Sequence, residues 1–151
     1  MKKGLFPGSF DPFTRGHEAI VLKAIELFDE VIIGIGINNS KKNLFDIKKR
    51  IFHINKLFEN YPNIQIVTYE TLTVEYCKVI GAQNIIRGLR NSSDFEYEKS
   101  IAQMNKTISG IETVFFLSDE KYSAINSSII REMYINKAAI IDFVPLPEFL
   151  I

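Results

Sequence analysis

Five short apolar runs, each about as long as a buried strand, alternate along this chain with segments of helical period. The runs fall at residues 4–6, 31–37, 64–67, 84–86 and 113–117. Between them, residues 19–28 place Ile20, Ala24, Leu27 and Phe28 on one helical face. Residues 47–58 do the same with Ile47, Ile51, Ile54 and Phe58, and residues 96–108 with Ile101, Met104 and Ile108. Parallel strands need crossover connections, and helices of this length supply them. The alternation therefore predicts an α/β fold, a doubly wound five-stranded parallel sheet with helices on both faces and right-handed crossovers. Such sheets bind ligands at the carboxyl ends of their strands where the winding direction switches, which directs attention to the loops after the first and fourth strands.

With 151 residues, the chain is expected to form one domain over residues 1–151. Its 18 basic and 18 acidic residues cancel, which argues against a nucleic acid or an anionic membrane as the main partner. Any affinity for phosphates must come from a few placed residues. The single cysteine, Cys77, cannot form an intrachain disulfide, and no run resembles a signal peptide or a membrane span, so a cytoplasmic protein is expected. The tail at residues 145–151 has two prolines and four large apolar residues and is expected to pack on the body or on a neighbouring subunit. His53 and Cys77 read as structural.

The segment Phe6-Pro7-Gly8-Ser9-Phe10-Asp11-Pro12-Phe13-Thr14-Arg15-Gly16-His17 follows the first strand. Gly8 and Gly16 permit close approach of backbone to a ligand, the prolines stiffen the loop, and the next helix presents unpaired N–H groups and the positive end of its dipole. Those are the needs of a phosphate site. Thr14 and His17 stand one helical turn apart, both able to face the same phosphates. The alternative is that Thr14 caps the helix and His17 is a surface residue. Two further segments carry cations to strand ends, Lys41-Lys42 after the second strand and Arg87-Gly88-Leu89-Arg90 after the fourth. A solvated lysine pair is the plain reading of the first. An arginine directly after an apolar strand needs a partner for its guanidinium, and its forked donors match phosphate oxygens. Asp94 and Glu96 read as acids favouring a helix dipole. The segment from Tyr122 to Arg131 opens another helix with hydroxyls and N–H groups available to a triphosphate, or with a plain cap at Ser127.

The ordered string Gly8-Ser9-Phe10-Asp11-Pro12-Phe13-Thr14-x-Gly16-His17 resembles the signature of the nucleotidyltransferase superfamily, whose architecture is Rossmann-like. The stretch from Arg87 to Glu98, with Arg-Gly-x-Arg and Asp-Phe-Glu-Tyr-Glu elements, is similar to that of bacterial phosphopantetheine adenylyltransferases, and the similarity covers nearly the whole chain. That resemblance implies transfer of AMP from ATP to 4'-phosphopantetheine, giving dephospho-coenzyme A and pyrophosphate in coenzyme A biosynthesis. It implies His17, Lys41 and Arg90 as catalytic residues. Ser9, Lys41, Thr73 and Arg87 are implied for phosphopantetheine. For ATP it implies Ser9, Phe10, His17, Gly88, Leu89, Arg90 and Glu98, together with Ser123, Ala124, Ile125, Asn126, Ser127, Ser128 and Ile129. Asn126 stands where the family's second nucleotide motif has its first serine. Mg2+ is expected to accompany ATP, without a dedicated cage of protein carboxylates. A homohexamer and feedback by coenzyme A are implied by the same likeness. The rival readings are a related transferase with another phosphate acceptor, from which the Arg87 to Glu98 element separates this chain, and a catalytically silent nucleotide-binding regulator.

Overall fold

A computed structural model describes all 151 residues. Its strands are β1 (Lys3–Gly8), β2 (Glu30–Gly36), β3 (Ile64–Tyr69), β4 (Asn84–Leu89) and β5 (Glu112–Leu117). They form one sheet in the order β3-β2-β1-β4-β5, and every neighbouring pair is parallel. The helices are α1 (Arg15–Ala24), α2 (Ile47–Leu57), α3 (Thr73–Ile80), α4 (Ser92–Ser109) and α5 (Ser127–Ile135). The expected doubly wound α/β sheet is the observed one. The winding reverses between β1 and β4, so the loops leaving these two strands diverge and open a crevice between them.

Side chains two apart on a strand share a face, and the central strands are apolar on both. Phe6, Ile33 and Ile86 join Ile20, Val21, Phe28, Ile54 and Phe58 in the larger core cluster, while their neighbours Leu5, Ile32 and Ile85 join Val74, Cys77 and Ile111 in a second. Each fully buried side chain of this size contributes about 1.5–3 kcal/mol. A third cluster, Phe45, Ile130, Ile140, Val144 and Leu150, seats the tail on the body, as expected for residues 145–151.

Three local expectations change. Helix α1 starts at Arg15, before the apolar face begins, because Thr14 caps it, and it ends at Ala24, leaving Leu27 58% exposed. Helix α3 has no counterpart in the sequence reading. Its N-cap, Leu72, makes no side-chain hydrogen bond, and Gly81 closes it in the left-handed conformation at φ 70°. On α4, the Ile101, Met104 and Ile108 stripe does not enter the core. These residues are 40%, 62% and 55% exposed, and the helix buries Glu98 instead.

Candidate active site

The crevice holds two cavities that meet along β1 and β4. One, of about 370 Å³, is lined by the first loop, by Arg87, Gly88 and Arg90, and by the start of α5. The other, of about 310 Å³, runs under α4 past Gly36, Tyr69 and Thr73. Pro7, Gly8, Ser9, Arg87 and Glu98 line both, so a ligand in each cavity would meet the other at these residues.

His17 sits on the first turn of α1. Thr14 and His17 form a reciprocal capping box, with the His17 N–H donating to Thr14 Oγ1 at 3.2 Å and the Thr14 N–H donating to His17 Nδ1 at 3.0 Å. Thr14 is buried and accepts the His17 N–H on its hydroxyl, and it lines the first cavity. The His17 ring packs against Phe6, Phe10 and Phe13, with centroids 6.1, 5.1 and 5.2 Å away. Phe10 reaches this position in a left-handed backbone conformation, φ 49°, uncommon outside glycine and concentrated at functional sites. A Cβ on Gly8 would lie 2.8 Å from the Phe10 ring, so glycine is required beneath it. Burial, then the charges of Arg87 and Arg90, push the His17 imidazole down to about 3. The ring is therefore neutral near pH 7. Because Nδ1 accepts from Thr14, its proton lies on Nε2.

Arg87 donates from Nε and Nη2 to the two Glu98 oxygens at 3.0 and 2.6 Å, and from Nη1 to the Pro7 carbonyl at 2.8 Å. This fork holds the guanidinium rigidly at the seam between the cavities and leaves one proton on each Nη free of protein partners. Glu98, expected at ATP, spends both carboxylate oxygens on Arg87. Arg90 is paired with Asp94, Nε to Oδ2 at 2.9 Å, and donates to the Ile125 carbonyl at 3.1 Å. Asp94 therefore holds an arginine of the site, a role beyond the dipole acid it was read as. Lys41 reaches across the opening to donate to Ser9 Oγ at 3.1 Å.

At α5 the cap is Asn126, not Ser127. Asn126 Oδ1 accepts from the Ser128 N–H at 2.8 Å and the Ile129 N–H at 3.4 Å, while the Ser127 hydroxyl donates to the Pro12 carbonyl at 3.0 Å. Two helix N–H groups expected to be free for phosphate are thus already paired.

Of the expected residues, Ser9, Phe10, His17, Lys41, Arg87, Gly88, Arg90, Glu98, Ile125, Asn126, Ser127 and Ser128 line the first cavity. Thr73 lies in the second, its hydroxyl 2.9 Å from the Tyr69 hydroxyl. Leu89, Ser123, Ala124 and Ile129 line neither. Leu89 is buried in the sheet, and Ser123 donates its hydroxyl to the Glu120 carbonyl. Also on the wall of the first cavity are Ser118, which the sequence reading missed, Asp94, which it read only as a dipole acid, and Asp11, Tyr122 and Arg131, which it placed in site segments without individual roles. Arg131 donates to the Asp11 carbonyl at 2.9 Å and to Ser128 Oγ at 3.0 Å, and its position one turn after Ser128 was the available signal.

The arrangement is one of donors: three arginines, a lysine, a neutral imidazole N–H and serine hydroxyls around two cavities. The carboxylates on the first wall are occupied, Asp11 by the Leu44 and Phe45 N–H groups, Asp94 by Arg90 and Glu98 by Arg87. Such a site is suited to bring two phosphate-bearing ligands together and to stabilise charge on them.

A family model described as cytidylyltransferase-like matches residues 5–133. The phosphopantetheine adenylyltransferase of Flavobacterium psychrophilum is 48% identical over 136 residues, 90% of each chain. That of Bacteroides thetaiotaomicron is 41% identical over 96% of each, and that of Porphyromonas gingivalis 45% identical over 96% of each. Among solved structures, a bifunctional NMN adenylyltransferase/ADP ribose pyrophosphatase of Francisella tularensis complexed with AMP and a manganese ion superposes with a TM-score of 0.70 at 17% identity. The match covers 97% of this chain and 46% of that one, a likeness of fold to just under half of a longer protein. The sheet order, the loop from Gly8 to His17 and full-length identities above 40% agree: the chain belongs to the phosphopantetheine adenylyltransferase family, within the cytidylyltransferase-like nucleotidyltransferases.

Proposed function

We propose that the residues 1–151 act as one domain that transfers AMP from ATP, held in the first cavity, to the phosphate of 4'-phosphopantetheine, whose arm lies in the second. The observation that carries this is the sharing of Ser9 and Arg87 by both cavities. It supports a meeting point for acceptor phosphate and α-phosphate where cations are already fixed. An oxygen of the acceptor phosphate attacks the α-phosphorus of ATP, and the bond from that phosphorus to the pyrophosphate oxygen breaks, giving dephospho-coenzyme A and pyrophosphate. A phosphate monoester is largely ionised near neutral pH, so no side chain has to remove a proton or form a covalent bond.

The side chains align and neutralise. Arg87, with Lys41 and Ser9, holds the acceptor phosphate. His17 donates its Nε2–H to a phosphoryl oxygen as charge gathers there, and Arg90 and the hydroxyls of Ser127 and Ser128 take the triphosphate. Phe10, its ring buried, offers the nucleotide only backbone. Thr73 and Tyr69 border the pantetheine arm. Magnesium fits as an ion carried in by ATP, held by phosphate oxygens and water because the neighbouring carboxylates are engaged; when bound, it supplies neutralisation of phosphate charge.

The exposed apolar stripe of Ile101, Met104 and Ile108 on α4 supports assembly as a homohexamer that covers it. Light scattering checks this, and a monomer at micromolar concentration contradicts it. Coenzyme A, sharing the pantetheine arm, enters the second cavity as a feedback inhibitor, which competitive inhibition against phosphopantetheine checks. No helix is long and apolar enough to cross a membrane.

The substrate is tested by following pyrophosphate release from ATP with 4'-phosphopantetheine, beside ATP with nicotinamide mononucleotide and CTP with glycerol 3-phosphate. Release with phosphopantetheine alone is expected. Release only with another acceptor retains the nucleotidyltransfer and discards the substrate, and nucleotide binding without release in any arm identifies a silent regulator.

A further inference from the structure

Three arginines from three different elements each donate an Nη1–H to alternate carbonyls of the first loop. Arg87 takes Pro7 at 2.8 Å, Arg50 takes Ser9 at 2.7 Å and Arg131 takes Asp11 at 2.9 Å. Arg87 and Arg131 line the nucleotide cavity, whereas Arg50, on α2, lines neither cavity. Its charge is nonetheless buried, with the residue 4% exposed, and it makes no salt bridge. Removing a guanidinium from water is costly, and here it is offset by the nearby charges of Asp11 and Asp46 without a direct ion pair and by two backbone carbonyls that an apolar side chain would leave unpaired.

The contacts of Arg50 show what the charge does locally. Its Nε donates to the Phe45 carbonyl at 2.9 Å while its Nη1 holds the Ser9 carbonyl, so one rigid fork ties the first loop to the segment between β2 and α2. The N–H of the same Phe45 donates to Asp11 Oδ1 at 2.8 Å, and that of Leu44 to Oδ2 at 2.9 Å. Phe45 is thus gripped from both sides. The segment fixed in this way carries Lys41, whose ammonium meets the hydroxyl of Ser9 at 3.1 Å. A carbonyl held from outside by a guanidinium is also withdrawn from the ligand side of the loop, where it would repel a phosphate.

We infer that Arg50 is a positioning residue for the acceptor side of the site: by joining Ser9 to Phe45 it sets Ser9 and Lys41 at the spacing that receives the acceptor's phosphate. The inference rests on the reading of Ser9 and Lys41 as acceptor ligands. A lysine keeps the charge but has one nitrogen and cannot bridge two carbonyls in the geometry of the fork.

The test compares wild type, Arg50→Lys, Ser9→Ala and the double variant at a temperature where circular dichroism shows each fully folded. For Arg50→Lys, KM for 4'-phosphopantetheine is expected to rise about tenfold or more, while binding of a non-hydrolysable ATP analogue changes by less than about threefold. In the Ser9→Ala background the Arg50→Lys penalty is expected to shrink to less than about threefold, because the two residues act as one unit. Equal loss for both substrates, an unchanged KM with turnover scaling only with the folded fraction, a full penalty in the Ser9→Ala background, or failure of Arg50→Lys to fold would each assign Arg50 to the fold alone and overturn the inference. If wild type binds no phosphopantetheine, it is the reading of the acceptor that fails.

Discussion

The backbone N–H of Thr14 donates to His17 Nδ1 at 3.0 Å, and this single bond decides which ring nitrogen of His17 is free to donate to a ligand. Nε2 carries the proton, and burial with two neighbouring arginines keeps the ring neutral. Under the proposed function, His17 is a hydrogen-bond donor to a phosphoryl oxygen, with no part as a general base.

Replacing His17 by Ala should lower kcat by about 10²–10³-fold, the loss typical of one donor at a charge-accumulating oxygen. His17→Asn, which retains an N–H donor, should recover part of it. Because the free enzyme's His17 titrates at about 3, the acid limb of kcat/KM should follow the acceptor phosphate and persist in His17→Asn. Steady-state kinetics between pH 5 and 8 check both points; an acid limb that vanishes with the imidazole contradicts the neutral-donor role.

Stability should depend on pH through the same residue. The His17 pKa falls from 6.5 in the unfolded chain to about 3 in the folded one, so the unfolded state binds more protons between these values. The stabilisation is complete above about 6.5 and is lost progressively as the pH falls towards 3. Burial lowers His53 as well, its Nε2–H bound to the Pro145 carbonyl at 2.7 Å, and acts in the same direction. Urea midpoints should drop more steeply between pH 7 and 5 in wild type than in His17→Asn.

Glu98 should prove to act through Arg87. Glu98→Ala leaves a half-buried guanidinium without its carboxylate and should cost about 1–3 kcal/mol of stability, less than for a fully buried pair because Arg87 is about one-third exposed. It should also raise KM for the acceptor more than KM for ATP. Thermal melts and two-substrate kinetics decide this, and a rise confined to ATP would return Glu98 to the nucleotide.

Asn126 combines a cap with a place on the wall of the first cavity, where the proposed function puts ATP. Asn126→Ala should remove about 1 kcal/mol of stability with the cap. Asn126→Asp keeps the accepting oxygen, and so should hold the melting temperature while raising KM for ATP about tenfold through a charge facing the triphosphate. Loss of stability in the Asp variant with KM unchanged would confine the residue to capping.

The sheet and the first loop were legible because their signals are local: apolar runs of strand length, glycine and proline between them, and a threonine three residues before a histidine. Helix α3 was not, since its N-cap, Leu72, has no capping side chain and the helix is only eight residues long. The stripe on α4 was legible as one apolar helical face, but periodicity does not show what covers it. Asp94 was read from its place near a helix start, whereas its partner Arg90 is fixed by the geometry of the β4 exit. Arg50 and Arg131 reach loop carbonyls 41 and 120 residues away, and contacts made only after folding leave no mark in the local pattern.

If the site works only by alignment and charge stabilisation, AMP passes directly from ATP to the acceptor. The stereochemical course at the α-phosphorus, followed with a chiral α-thio analogue of ATP and 4'-phosphopantetheine, tests this most directly. A single in-line displacement predicts inversion of configuration. Retention would mean two displacements through an adenylylated side chain, and would contradict the account.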